Sequence, residues 1–393
     1  MVKTMGLKSY PRIYFELLLS NFTTITSMSL PSAFLPLFAA ELDPLGLLIG
    51  FVVSAWFLSR IFIELPSGLL ANQFGRRRLL IYGLATSAMG VFLCFIANHI
   101  LLLIVGRALW GLGVALYFIS SSAIIMSVFT PDTRGQAWGI FLGLEFIGSF
   151  IGTPIGGFLS PVIGYRGVFF LAFTFTLCAL LTVFISADIR KIDLKSAPLS
   201  KFSLIASLQS LKKWGVVVIC ISSFSAMLIS GGIISTVFPL FLNKNLNIDV
   251  DLIGIIFSTR TLGFITATLI SGYLSRIFRR KILINLGCVV ESVFLLSYAF
   301  ISSLEAFILV GFIEGFGSGI IWSSLLVLLS DIVPENLIGG AIGMYRTFMD
   351  IGGLIGPLLF MEVFYRTGCI TTFFLASAVL LLNAALTSTI KYR

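Results

Sequence analysis

Gly68-Leu69-Leu70-Ala71-Asn72-Gln73-Phe74-Gly75-Arg76-Arg77-Arg78 decides the fold, because Gly272-Tyr273-Leu274-Ser275-Arg276-Ile277-Phe278-Arg279-Arg280-Lys281 echoes it 204 residues later. Carried outward, the same offset lays Gly50 on Gly254, Gly83 on Gly287, Gly111 on Gly315 and Gly113 on Gly317. It also lays Gly135 on Gly339, Gly139 on Gly343, Gly148 on Gly352, Gly152 on Gly356 and Gly164 on Gly368. With Gly68 on Gly272, ten of the nineteen glycines in residues 1–170 coincide, whereas 37 glycines in 393 residues give about two by chance. One ungapped offset over this distance is the mark of a duplicated unit.

The unit is a membrane unit. Apolar residues make up 58% of the chain, charged residues 11%, and mean hydropathy is +1.07. A soluble chain carries about 25% charged residues, so this one cannot cover an aqueous surface. Its apolar residues fall in runs of the length a helix needs to cross hydrocarbon: 14–39, 46–70, 79–97, 101–128, 136–160 and 167–187, then 215–242, 252–275, 282–301, 305–329, 340–363 and 369–389. The expected architecture is therefore all-α, with twelve transmembrane helices in two pseudo-symmetric six-helix bundles. Residues 1–187 form the first, 188–214 a basic cytoplasmic linker with a surface helix near 202–213, and 215–393 the second. Such parallel repeats build a substrate site near the midplane between them.

Location of the charges removes other readings of the net charge of +9. Nineteen Lys and Arg fall on the side of the termini and three on the other, which predicts cytoplasmic termini and linker in a plasma-membrane protein. No nucleic-acid partner is needed. The run from Tyr14 to Ala40 is too long for a signal-peptide core and is read as a retained first span. Cys94, Cys178, Cys220, Cys288 and Cys369 lack metal-ligand or redox spacing and read as small buried side chains. His99 lies in a polar break and reads as a loop residue. No cofactor, metal site, activated nucleophile or phosphate loop is expected, so an enzyme is the least favoured class.

Three further patterns have topological addresses. Span four carries Arg107-Ala108-Leu109-Trp110-Gly111-Leu112-Gly113, loop 4–5 reads Pro131-Asp132-Thr133-Arg134-Gly135, and span five carries Gly139, Gly148, Gly152, Pro154, Gly156 and Gly157. With the twelve spans and long central loop, the chain resembles the major facilitator superfamily over nearly its full length, in particular its twelve-helix drug/proton antiporter branch. Gly68, Asn72, Gly75, Arg76 and Arg77, with Gly272, Arg276 and Arg280, resemble the family's motif A, which implies a cytoplasmic gate. The Arg107 segment resembles motif B, whose arginine is implicated in proton handling, and the span-five glycines resemble motif C. Departures stand at Asn72 and Gln73, where the family has an acid and a base, and at Thr153, which separates Gly152 from Pro154. Asn72 brings no charge to a latch. Independently of the family, Gly148, Gly152 and Gly156 share one helix face, as do Gly352 and Gly356, and allow close backbone approach. Pro154 and Pro357 permit a bend. Ordinary tight packing is the alternative reading, and it is weaker for span five than for span eleven.

Nine ionisable residues lie inside apolar runs: Arg60, Glu64, Arg107, Glu145, Arg260, Glu291, Glu314, Arg346 and Asp350. Each costs at least about 2.5–3.5 kcal/mol on insertion scales unless paired or watered. Arg60 with Glu64, and Arg346 with Asp350, are one turn apart and read as helix-face pairs, the first as a fixed buried ion pair. Glu145 lies one step from the repeat position of Asp350. In the family, spans one, four, seven and ten line the cavity, which nominates Asn21, Arg107, Tyr117, Glu314 and Trp322. The proton/substrate pathway is thus read as Arg107, Glu314, Glu145, Arg346, Asp350, Arg260, Asn21, Tyr117 and Trp322. Glu314 is the first candidate for carrying a proton; a static partnership with a buried arginine is its alternative. Glu291 stands on span nine, peripheral in the family, where a packing role is favoured. The expected function is secondary transport of a small molecule by alternating access, as proton-coupled efflux of amphipathic or hydrophobic compounds driven by the proton gradient. An importer or symporter of an organic anion, and a non-transporting membrane sensor, are the alternatives. The expected partners are the small molecule and the lipid bilayer, and the chain is expected to work as a monomer.

Overall fold

Capping and turn residues cut the apolar runs into rods, and the cuts repeat with the sequence. The computed structural model describes residues 10–64, 75–192, 213–333 and 337–390. His99 caps span four by accepting from the Leu101 N–H through Nδ1 at 3.3 Å. Ser303, its counterpart 204 residues on, caps span ten by accepting from the Ala306 N–H at 3.3 Å. Gly164 (φ 72°) and Gly368 (φ 85°) make the turns after spans five and eleven in a left-handed conformation that costs an L side chain dearly. The duplication is written into the backbone as well as the sequence.

Span one is Arg12–Ser29, a 3₁₀ turn Leu30–Ala33 and Leu35–Leu42, bent by 57°. Span two is Ile49–Glu64, three is Arg76–Phe95 and four is Ile100–Val128. Spans five and six run through Pro131–Ile185, broken at Gly164. Span seven begins as Trp214–Ile229 and loosens into π-helical turns at Ser230–Val237 and Phe241–Asn245. Spans eight to twelve are Val250–Ile277, Arg280–Ser297, Leu304–Ile332, Ile338–Thr367 and Cys369–Ser388. Among the described residues, eight helices are long and apolar enough to cross a membrane, nine when the two arms of span one count together. Pro131–Ile185 holds two spans. Span two, which ends where the described residues pause, and span nine, which carries Arg280, Lys281 and Glu291, complete the twelve. Most of the 188–214 linker, with its surface helix, lies outside the described residues; Ala187–Ile192 is a short helix at its start.

The same contacts build both halves. Gly83 on span three meets the Gly113 carbonyl of span four, and Gly287 meets that of Gly317. Gly111 abuts the backbone of Trp56, and Gly315 that of Arg260. Asn21 donates to the Phe141 carbonyl at 3.0 Å, tying span one to five, and Ser223 donates to the Tyr345 carbonyl at 3.0 Å, tying seven to eleven. Here the offset from span one to seven is 202, not 204. Span one contains no glycine, so the glycine register cannot see that shift.

Three apolar clusters say how the halves meet. Near the face away from the termini, one core runs through both halves, including Phe34, Phe38, Trp56, Phe57, Phe238, Phe241, Phe307 and Phe373. Toward the terminal face the core divides: one cluster around Tyr14, Tyr117 and Phe141 belongs to the first half, another around Ile219, Ile321 and Tyr345 to the second. Among the described residues, the buried apolar core is therefore shared by the halves at the far face and divided toward the terminal face. Of the cysteines, Cys94, Cys220 and Cys288 are buried as expected, whereas Cys178 is exposed and Cys369 half-exposed on the helical surface.

Candidate functional site

Two pairs of spans carry the junction between the halves, two against eleven and five against eight. At the far face, a Cβ added at Gly50 would lie 2.8 Å from the Pro357 carbonyl oxygen, and one added at Gly254 would lie 3.3 Å from Pro154 Cα. Gly148, Gly152 and Gly156 seat span five on span one, and Gly352 and Gly356 seat span eleven on span seven. The glycine stripes thus pack within each half. The prolines stand where the halves touch.

Among the described residues, hydrogen bonds, ion pairs and ring contacts between halves reach from the far face to mid-depth. Ser54 donates to the Leu354 carbonyl at 2.6 Å. Arg60 Nη2 lies 3.5 Å from Asp350 Oδ1. Phe146 and Phe264 rings sit 5.5 Å apart. Asp350 therefore meets Arg60 of the other half, not Arg346 one turn away, because the side chain turns toward span two. The side chain of Glu64, expected partner of Arg60, lies outside the described residues.

Arg346, released from that pairing, acts electrostatically on Glu145 across the gap. Glu145 and Arg346 are both half-buried, and behind Glu145 stand fully buried Asn21 and Tyr117. This cluster takes a residue each from spans one, four, five and eleven. Toward the terminal face, Gly139 and Gly272 have nothing within 4 Å of an added Cβ.

The other pathway candidates sit elsewhere. Arg107 is buried inside the first half with its guanidinium carbon 4.6 Å from the Trp56 ring and 5.3 Å from the Trp110 ring. Such stacking is worth about 2 kcal/mol or more when desolvated. Trp322 packs half-buried against the second half's core. Arg260 and Glu314 join in a two-pronged pair inside the second half, Nε to Oε2 at 2.5 Å and Nη2 to Oε1 at 3.1 Å. Glu291, set aside on the sequence because span nine is peripheral, is buried against this pair and interacts with Glu314, Arg260 and Ser318. A charge in the middle of span nine was its visible signal.

Of the gate residues, Gly68 and Asn72 lie outside the described residues. Gly75 opens span three at φ 80°, Arg76 is buried, and Arg77 donates to the Phe184 carbonyl at 3.5 Å. Arg280 pairs with Asp331 at 2.8 Å, Arg276 is exposed in the last turn of span eight, and Gly272 faces open space. These bonds hold each turn to its own half.

Comparison with known proteins agrees with this geometry. The family model described as Major Facilitator Superfamily matches residues 17–240 and 219–392. The chain is 27% identical over 375 residues to the multidrug resistance protein MdtG of Enterobacter lignolyticus (strain SCF1), covering 93% of this chain and 89% of that one. It is 26% identical over 373 residues to the multi-drug resistance efflux pump PmrA of Streptococcus pneumoniae serotype 4, covering 90% and 92%. Its fold is similar to a crystal structure of a D-xylose-proton symporter, with a TM-score of 0.78 at 15% identity over 96% of this chain and 97% of that one. It is similar too to a bacterial homologue of the lysosomal transporter Spinster in an inward-facing, unoccupied conformation, with a TM-score of 0.77 at 15% identity over 95% of each chain. A twelve-span duplicated scaffold joined at one face, and a family model matching both halves, make this chain a membrane transporter belonging to the major facilitator superfamily.

Proposed function

We propose that the chain exports amphipathic or hydrophobic compounds in exchange for protons, by alternating access to the gap between its halves. The feature that carries the reading is the placement of an acid, Glu145, in one half and a base, Arg346, in the other, both half-buried beside that gap. An acid from one half and a base from the other change their separation whenever the halves rock, so the charge state of Glu145 and the position of the halves are linked. Lys and Arg counts of nineteen against three support a cytoplasmic terminal face, so that the gap faces inward, where an exporter loads. The names of the relatives, multidrug resistance and efflux, support export.

The test is flux in proteoliposomes under an imposed pH gradient, with a panel of lipophilic cations and neutral amphipaths. Substrate-dependent proton flux that a protonophore abolishes is the expected result, with Glu145→Gln lowering it about a hundredfold or more, as expected when one positioned proton-transfer group is lost. Absence of such flux across the panel rejects proton-coupled export.

A further inference from the structure

Outside span one, the offset of 204 residues pairs positions in one half with twins in the other, and the twin of an ion pair tells what packing alone requires. Arg260 and Glu314 are the twins of Trp56 and Trp110. Those tryptophans meet edge to face, ring centroids 5.6 Å apart, at the same crossing of the second and fourth helices of their half. The backbone contact beside them is also the same, Gly111 on Trp56 in one half and Gly315 on Arg260 in the other. An aromatic pair therefore fills this crossing without charge. The second half replaces it by a buried ion pair, an exchange that usually brings no stability.

The exchange goes further than one pair. Glu291, whose twin is Ser87, is 1% exposed and lies against Glu314 and Ser318. Its Oε2 atom is buried with no hydrogen-bond partner. Around it stand Arg260 from span eight, Glu314 and Ser318 from span ten, and Tyr298 and Cys288 from its own span nine. Span twelve contributes Asn383, which bonds to Cys288 Sγ at 3.5 Å. Among the described residues this group holds two carboxyls and one guanidinium. Arg260 neutralises Glu314 through two bonds. A second carboxylate in the same apolar interior has no cation left to meet it, and isolated buried charge is too costly to persist.

We propose that Glu291, Glu314 and Arg260 form a proton-binding site within the second half, separate from the Glu145–Arg346 gap, in which Glu291 holds the proton. With the proton on Glu291 and Glu314 ionised against Arg260, the group is neutral and puts no net charge in the interior. Arg260 is slightly exposed, its side chain 13% accessible beside the 0% of Glu314. Use of this proton to drive transport rests on the export reading above; its presence on Glu291 does not.

Infrared spectroscopy of the purified full chain at pH 7 tests the site directly. A protonated buried carboxyl gives a C=O stretch well above the carboxylate bands. The wild type is expected to show this band, Glu291→Gln to lose it and Glu145→Gln to keep it. Ser318→Ala is expected to shift its frequency without removing it, which serves if Glu291→Gln does not fold. A band untouched by both the Glu291 and Ser318 substitutions, or no band in the wild type, overturns the proposal. Because the band needs no substrate, failure of the export reading and failure of this site are told apart.

Discussion

At residue scale, the molecule offers an internal control for each buried charge. The Arg260–Glu314 pair is buried, and Glu314→Ala leaves a guanidinium without its partner. Loss of about 3–5 kcal/mol is expected from breaking a buried pair in this way, read as a lowered unfolding midpoint in detergent. Because the Trp56–Trp110 twin shows that the crossing packs without charge, the double substitution Arg260→Met with Glu314→Leu is expected to recover most of that stability. Recovery of the midpoint without recovery of proton-coupled flux separates folding from function. A double variant as unstable as Glu314→Ala alone would mean that the charges hold the fold. Arg107 gives the same lesson from the other half. Its place between two indole rings binds a cation to the packing, and the motif that nominated it for the pathway did not reveal those rings.

At the scale of helices, glycines decide how close two rods come, and their neighbours decide what a methyl group costs. A Cβ at Gly356 would run into the Leu228 backbone, which cannot move aside as a side chain does. Gly356→Ala is expected to cost about 1–3 kcal/mol through overpacking. Gly139 has nothing within 4 Å, and Gly139→Ala is expected to be neutral or to add up to about 1 kcal/mol of helix propensity. Thermal unfolding of the two variants side by side checks this, and equal midpoints would show that the close approach is not where the rods are held. Much of the fold was legible because these glycines carry the repeat in one register. Span one escaped, since it has none, and its offset of 202 emerges only from Asn21–Phe141 and Ser223–Tyr345. The site was legible in its members more than in its pairings. One-turn spacing nominates partners on the same helix, yet Asp350 faces Arg60 and Glu314 faces Arg260 on other helices. Direction around a helix axis depends on which neighbour it packs against, and single-helix spacing does not contain that. Adding 204 to each charged residue does, by showing which apolar contact it replaced.

For the whole molecule, the two junctions between halves should be alike, and at mid-depth they are not. Arg60 and Asp350 bridge spans two and eleven, while their twins Phe264 and Phe146 bridge spans eight and five by ring contact alone. A ring contact slides with little change in energy, whereas an ion pair away from water has a strong preference for one separation. The junction of two with eleven is therefore expected to hold the far face shut, and that of five with eight to accommodate the rocking of the proposed cycle. Asp350→Asn removes the charge but keeps the size of the side chain, so the far face should open more often. Ser54 is the reporter: it is 1% exposed and bonded to the Leu354 carbonyl while the face is closed. With Ser54→Cys in a background carrying Cys178→Ala, maleimide labelling is expected to rise about fivefold or more when Asp350→Asn is added, the lower end of a coupling of about 1–3 kcal/mol. Phe146→Leu, at the twin position, should leave the rate within about twofold, since no charge is lost. Labelling that responds to neither substitution would mean that the shared far-face core alone keeps the halves together, and equal responses would mean that the two junctions act alike despite their chemistry.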